Sequence, residues 1–342
     1  MIRRYREASA RRAGRLSWRS VAATGLAAAA LAGCSGRQSA LDPAGREASE
    51  LAFLFWAMAA GAAVIWLAVI GIAFYATRLR PEPHEEWVGR TLILAGGVAF
   101  PLIVLTGLLV PGLAMIPALR APPGGPLRVE VSGEQWWWRV TYRRPDGSAV
   151  ASANEVRLPR GQRVELVLTS PDVIHSFWVP SLAGKVDMIP GRTNRLAVEP
   201  TEVGMFRGVC AEFCGTSHAL MAFETVVMEP ADFDAWLAQE AAPAAVPSAG
   251  PAAEGARLFG SLGCGGCHAI RGTDARGVVG PDLTHVAGRL SLGAGILSND
   301  HGGLMRWIAA TDEVKPDVRM PAFGMLPSPE LEALTAYLAS LR

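Results

Sequence analysis

The pattern of apolar positions along the chain begins with two long stretches that contain no charged residue, Leu51 to Ala76 and Thr91 to Leu119. Each is longer than the about 20 helical residues needed to cross the hydrocarbon core of a bilayer. The pattern therefore predicts a transmembrane helix hairpin over 51–120, with helices at 51–77 and 91–119. The connection carries three arginines, and short arginine-bearing loops stay on the cytoplasmic side. Both ends of the hairpin are expected to face outward.

The pattern changes after Leu127 to short β-branched and aromatic runs separated by Pro, Gly and Asp turns. Val164 to Thr169 is one such run. This texture predicts an all-β sandwich over 127–240 that ends in a short helix, Ala231 to Gln239. Residues 241–253 hold three prolines, many alanines and no charge, which indicates a linker.

The last segment, 254–342, shows helical patterning at both ends around loops rich in Gly, Pro and Asp. It predicts a small all-α domain. A domain of this size often depends on a bound cofactor to complete its core.

The N-terminus is rich in arginine, with seven in the first twenty residues, and continues into the uncharged stretch Val21 to Ala32. Leu31-Ala32-Gly33-Cys34 then resembles a bacterial lipoprotein cleavage site. We expect a signal peptide over 1–33, a lipid-modified Cys34 and an extracytoplasmic segment over 34–50. The alternative is an uncleaved apolar anchor with an incidental cysteine. The net charge of +1 gives no indication of a nucleic-acid partner, and none is expected.

The C-terminal domain contains the motif Cys264-Gly265-Gly266-Cys267-His268. C-x-x-C-H is the attachment sequence for c-type haem, in which both thiols bond the porphyrin and the histidine reaches the iron. Met320 is the best candidate for the second axial ligand, ahead of Met305 and Met325. A redox or zinc C-x-x-C is the alternative interpretation.

The domain as a whole resembles a class I cytochrome c, including Gly280-Pro281-Asp282-Leu283. The resemblance implies that the carbonyl of Pro281 accepts a hydrogen bond from the ring of His268. Such a contact would orient the ligand and select its tautomer.

The β domain carries a second cluster of ligand-type residues. Cys210, Cys214, His218 and Met221 lie on one short segment, and His175 precedes Cys210 by 35 positions. Thiols, imidazoles and a thioether are soft or intermediate ligands that suit copper. A disulfide between the two cysteines and a zinc site of two Cys and two His are the alternatives.

Residues from about 51 to 240 resemble cytochrome c oxidase subunit II, which holds a dinuclear copper centre, CuA, in a cupredoxin sandwich. The resemblance implies the following ligands: bridging Cys210 and Cys214, one histidine for each copper from His175 and His218, Met221 on one copper and the backbone carbonyl of Glu212 on the other.

Other parts of the resemblance concern the surroundings of the copper. Trp136, in Gly133-Glu134-Gln135-Trp136-Trp137-Trp138, matches the position through which electrons enter, although ordinary packing also explains three tryptophans in a β domain. Gly184 to Arg192 matches a segment that faces subunit I, where the Glu212 carboxylate would help bind Mg²⁺. The chain departs from the family at Glu85 and Glu86, whose spacing to Trp87 leaves a proton-channel role unassigned.

The resemblance implies the electron-input subunit of a caa-type respiratory oxidase in a bacterial plasma membrane, with its copper and haem domains outside. Electrons from a cytochrome or bc-type complex would pass through covalent haem c and CuA to subunit I, which reduces oxygen with proton pumping. Subunit III and membrane lipid are further expected partners. A CuA-containing nitric oxide reductase subunit and, from another class, a copper-delivery lipoprotein are the alternatives.

Overall fold

A computed structural model describes residues 33, 35–83, 85–119, 127–144 and 146–342. The predicted signal segment, apart from Gly33, and the predicted lipidation site Cys34 lie outside the described residues.

Two long apolar helices form the membrane part of the described chain. Helix α1, Arg46–Phe74, continues as a π-helix, Tyr75–Leu79; α2, Glu86–Thr91, continues through a π-helix, Leu92–Ala99, into α3, Phe100–Leu119. In each long helix, no residue of the most apolar 18-residue stretch is buried inside the protein. Such large exposed apolar surface is compatible with lipid and not with water.

The helix ends differ from the predicted ones. The first helix begins at Arg46 and the second at Glu86, each five residues before the predicted start. Hydropathy marks the part of a helix that lies in hydrocarbon, whereas backbone hydrogen bonding continues into the flanking polar residues. The membrane helices are therefore longer than their uncharged stretches.

The β domain is a sandwich of two five-stranded sheets, with strand orders β3-β2-β1-β5-β8 and β4-β10-β9-β6-β7. The strands are β1 Leu127–Glu134, β2 Trp137–Arg143, β3 Ala149–Ala153, β4 Glu155–Pro159, β5 Val164–Thr169, β6 His175–Trp178, β7 Val186–Met188, β8 Asn194–Val198, β9 Gly204–Cys210 and β10 Ala222–Met228. Burial alternates along β1, as expected when one face of a strand meets the core. On β2, Trp138 is fully buried and packs against Phe177 and Phe223, with ring centroids 5.9 and 4.9 Å away.

The segment before α1 lies on the sandwich. The amide of Ala44 donates to the carbonyl of Ser181 at 2.7 Å. The carboxylate of Glu47, which is 2% exposed, accepts from the amide of Glu199 at 2.9 Å. A buried carboxylate needs a hydrogen-bond partner, and Glu47 finds it on the sandwich. This contact attaches the first membrane helix to the sandwich in a defined orientation.

The C-terminal domain consists of α5 Gly250–Ser261, α6 His301–Ala309, α7 Thr311–Val314 and α8 Ser328–Ser340, with a two-stranded ribbon of β11 Ser291–Leu292 and β12 Leu297–Ser298. Short 3₁₀ turns lie at His218–Leu220 in the sandwich and at Cys264–Gly266 and Val286–Gly288 in this domain. Helices α5 and α8 cross closely at Gly255, where a Cβ atom would lie 1.9 Å from the carbonyl oxygen of Ala333. Only glycine permits this approach.

The connection between the two domains is shorter and more ordered than the predicted linker over 241–253. Helix α4, Pro230–Ala241, ends the sandwich, and α5 already begins at Gly250. Pro251 occupies the first turn of α5, where proline is favoured. Proline is also typical of linkers, and at this position it begins a helix. The amide of Ala244 donates to the carbonyl of Arg271 at 2.9 Å, which attaches the connection to the C-terminal domain.

Candidate copper and haem sites

Strand pairing brings the distant histidine to the cysteine segment. Strand β6 begins at His175 and pairs antiparallel with β9, in register Phe177 to Cys210. The next chain segment turns back through the 3₁₀ turn at His218 and reaches Met221 just before β10. Residues 35 positions apart therefore meet at one end of the second sheet.

The structure brings all six predicted copper ligands together. The Sγ atoms of Cys210 and Cys214 are 3.9 Å apart. The Nδ1 of His175 lies 3.8 Å from the Cys210 sulfur, and the Nδ1 of His218 lies 3.5 Å from the Cys214 sulfur. The remaining two contacts are 3.8 Å from the Cys214 sulfur to Met221 Sδ and 3.2 Å from the Cys210 sulfur to the Glu212 carbonyl.

This donor set fits a dinuclear copper centre. A disulfide requires sulfurs about 2.05 Å apart, well below the observed separation. A zinc site would leave the Met221 thioether, which is 1% exposed, without a reason to face the sulfurs. Two thiols between two imidazole nitrogens, completed by a thioether and a carbonyl, offer the soft ligands that copper prefers.

The ionisation of each cysteine depends on the other. The contact between the two sulfurs lowers the pKa of Cys210 to about 3 and raises the pKa of Cys214. These shifts favour a thiolate at Cys210 and a thiol at Cys214. Because metal ligation needs the deprotonated form, binding would release the proton of the Cys214 thiol.

Two residues that the sequence analysis did not single out orient the ligands. The Oδ1 of Asp172 lies 2.9 Å from the Nε2 of His175, so the opposite ring nitrogen is directed to the cysteines. The side chain of Gln135 donates to the carbonyl of Cys214 at 2.8 Å. Asp172 lies three positions before His175, and this spacing alone does not predict a contact between the two side chains.

The haem motif has the local geometry that its chemistry needs. Cys264 opens a 3₁₀ turn, and Cys267 and His268 follow it. The Nδ1 of His268 donates to the carbonyl of Pro281 at 2.8 Å, which leaves Nε2 available to a metal. Burial lowers the pKa of His268, so the ring is neutral, as a ligand must be.

Gly280 shapes the space around His268. A Cβ atom at this position would lie 2.5 Å from the Cε1 of the ring. Met320, the predicted second ligand, is half-buried on the loop between α7 and α8, whose Phe323 amide donates to the Ile308 carbonyl at 2.9 Å. These residues fit c-type haem, and the role of Met320 stays a prediction.

Comparisons with known proteins find a match for both domains. The family described as cytochrome C oxidase subunit II, periplasmic domain, matches residues 146–229, and the cytochrome c family matches residues 252–342. Cytochrome c oxidase subunit 2 of Alkalihalophilus pseudofirmus is 33% identical over 326 residues, which cover 91% of this chain and 94% of the relative. The chain belongs to the cytochrome c oxidase subunit II family.

Further relatives cover less of the chain. Cytochrome c oxidase subunit 2 of Bacillus sp. strain PS3 is 35% identical over 63% of this chain and 62% of its own length. The crystal structure of the periplasmic domain of subunit II (CoxB) of Bradyrhizobium japonicum is 31% identical, with a TM-score of 0.32, over 34% of this chain and 95% of that domain.

Membership in the subunit II family confirms several predictions. The fold class is confirmed: two apolar helices, a cupredoxin-like sandwich and a helical cytochrome c domain. The chain is a subunit of a haem–copper oxidase, an oxidoreductase, and a membrane protein with a periplasmic domain. Its subunit II domain implies CuA copper, and its cytochrome c domain implies haem c.

Trp136 is placed beside the copper ligands of this subunit II. Its Nε1 donates to the carbonyl of Cys214 at 2.9 Å, and the residue is 6% exposed. Its neighbour Trp138 instead fills the sandwich core. The role of Trp136 in electron transfer stays a prediction.

The remaining predicted site residues are not brought to a common site. The side chain of Glu212 is exposed, and a magnesium role stays a prediction. The carboxylate of Glu85 accepts a hydrogen bond from the indole of Trp87, which gives it a local partner. No proton-channel role is assigned to Glu85 or Glu86.

The contact between Gly280 and His268 gives a testable prediction for the haem domain. Gly280→Ala is expected to displace the ring and destabilise the domain by about 1–3 kcal/mol, the usual range for overpacking. Denaturant unfolding followed by haem absorbance measures this change. Gly288→Ala is the control, because a Cβ there meets nothing within 4 Å. Equal stability of the two variants would contradict the prediction.

Proposed function

We propose that this subunit relays electrons from an external donor, through haem c on Cys264 and Cys267, to the CuA site and on to the catalytic subunit. One observation carries the proposal: the haem domain packs directly on the copper loop. The hydroxyl of Ser217, next to His218, donates to the carbonyl of Pro316 in the haem domain at 2.6 Å. The haem domain therefore contacts the chain segment next to a predicted copper ligand.

At the copper end of this relay, most of the predicted ligands are buried in the protein core. When bound, haem c and the dicopper centre each supply a site that accepts and releases one electron. Cys210, Cys214 and Met221 are at most 7% exposed, and His175 is fully buried. Ligands held by a packed core move little when the charge at the site changes.

The catalytic centre belongs to another subunit in this proposal. Neither membrane helix contains a histidine that could hold a haem–copper centre. Subunit I would reduce oxygen to water with proton pumping, and subunit III would complete the assembly. The proposed location is the bacterial plasma membrane, with both metal domains outside and membrane lipid around the hairpin.

Purification of the intact membrane complex tests the proposal. We expect a large haem–copper subunit to co-purify and the complex to consume oxygen when a reduced cytochrome is supplied. Reduction of nitric oxide without oxygen consumption would favour the nitric oxide reductase alternative. Purification without any such subunit would contradict the relay and favour copper delivery.

A further inference from the structure

The haem domain meets the copper domain through contacts from several separate segments. Arg139 on β2 donates to the carbonyl of Val278 at 2.9 Å, beside the loop that holds His268. The amide of Leu290 donates to the carboxylate of Glu155 at 2.9 Å. Together with the Ser217 hydrogen bond, these contacts define the orientation of one domain on the other.

Lys315 is buried at this interface. The residue is 1% exposed, and its Nζ donates to the carbonyl of Trp136 at 2.5 Å and to the carbonyl of Gly293 at 2.7 Å. One acceptor belongs to each domain. Burial of a lysine without a carboxylate partner is unfavourable, and it lowers the pKa of Lys315 to about 7. A neutral amine still has two N–H donors, so both carbonyls are satisfied in either protonation state.

Lys315 is connected to both predicted metal sites through its hydrogen-bond partner Trp136 and through the chain that follows it. On the copper side, the indole of Trp136 donates to the carbonyl of Cys214 at 2.9 Å. On the haem side, Pro316 follows Lys315 directly, and Met320 lies five residues beyond it. The segment that leads to the predicted iron ligand is thus attached to residues that adjoin two predicted copper ligands, Cys214 and His218.

We propose that Lys315 is a positioning residue that holds the haem domain in register on Trp136 and the copper loop. The proposal rests on the proposed relay function, because it concerns the approach of the two sites. A consequence is that Trp136, which is 6% exposed, does not serve as a docking surface for a soluble donor.

Lys315→Met in the intact complex tests this role, because it keeps the apolar stem and leaves both carbonyls without their donor. We expect the rate of electron transfer from haem to copper to fall about tenfold, which corresponds to a barrier about 1.4 kcal/mol higher. The haem and copper absorption spectra should be unchanged. Pulsed EPR should show a broader distribution of haem–copper distances. Arg257→Met, which removes an exposed cation on α5, is the matched control and should change neither readout.

Ser217→Ala provides a second test from the other domain. It removes the hydrogen bond to Pro316 and should broaden the distance distribution in the same direction. Ser340→Ala is its control, since that hydroxyl donates to the Tyr337 carbonyl within the haem domain.

An unchanged distance distribution and rate in Lys315→Met would overturn the proposal. If that variant fails to assemble its haem domain, Ser217→Ala decides in the same way. Absence of the copper spectrum from the unsubstituted complex would instead refute the proposed relay and not the contact itself.

Discussion

Replacement of Cys214 by serine is expected to eliminate the copper centre and to leave haem c in place. The Cys214 sulfur has the other sulfur, an imidazole and the thioether all within 3.9 Å. Loss of an outer-sphere group costs metal sites up to about a hundredfold in affinity, so loss of this ligand should exceed that factor. Copper analysis and the purple absorption band measure the effect, and oxygen consumption should fall with them.

A matched pair of methionine substitutions serves as the control for this prediction. Met221→Leu removes the thioether beside Cys214 and should alter the copper band. Met228→Leu makes the same change at the far end of β10 and should leave the band as it is. An intact purple band in Cys214→Ser, or equal spectra of the two methionine variants, would remove the ligand assignment.

Simultaneous replacement of Cys264 and Cys267 by serine is expected to abolish covalent haem and to unfold the haem domain. Haem staining of a denaturing gel and circular dichroism follow these two losses. The domain core is small, and a domain of this size often depends on a bound cofactor for its stability. Because a tethered module acts at high effective concentration, donor-supported oxygen consumption should fall by about a hundredfold or more.

Retention of the copper spectrum is the internal control for the double cysteine variant, since the sandwich has a separate core. Ser261→Ala, at the end of α5, should retain both haem and activity. Full oxygen consumption by the double variant would show that electrons reach copper by another path.

Much of the fold could be predicted because it follows from local patterns. Strand β5 coincides with the β-branched run at Val164, and the uncharged stretches mark the two membrane helices. The copper ligands were identified through a family resemblance. Their meeting in space depends on the pairing of β6 with β9, which no local pattern specifies.

Other features could not be predicted, because they depend on tertiary contacts between residues without a distinctive spacing. Asp172 orients His175 from a turn that resembles any other Pro-Asp turn. The residues next to Lys315 in the sequence do not indicate its role. Its hydrogen-bond acceptors are backbone carbonyls 22 and 179 positions away. The contact between the haem domain and the sandwich could not be predicted, because the connection between them is rich in alanine and proline. That composition is typical of a flexible linker.

Injection of a single electron into haem c of the intact complex, with no other donor present, tests the central claim most directly. The account predicts that the haem reoxidises at the same rate at which the copper band is bleached. Reoxidation of the haem without bleaching of the copper band, or a haem that stays reduced beside oxidised copper, would contradict it.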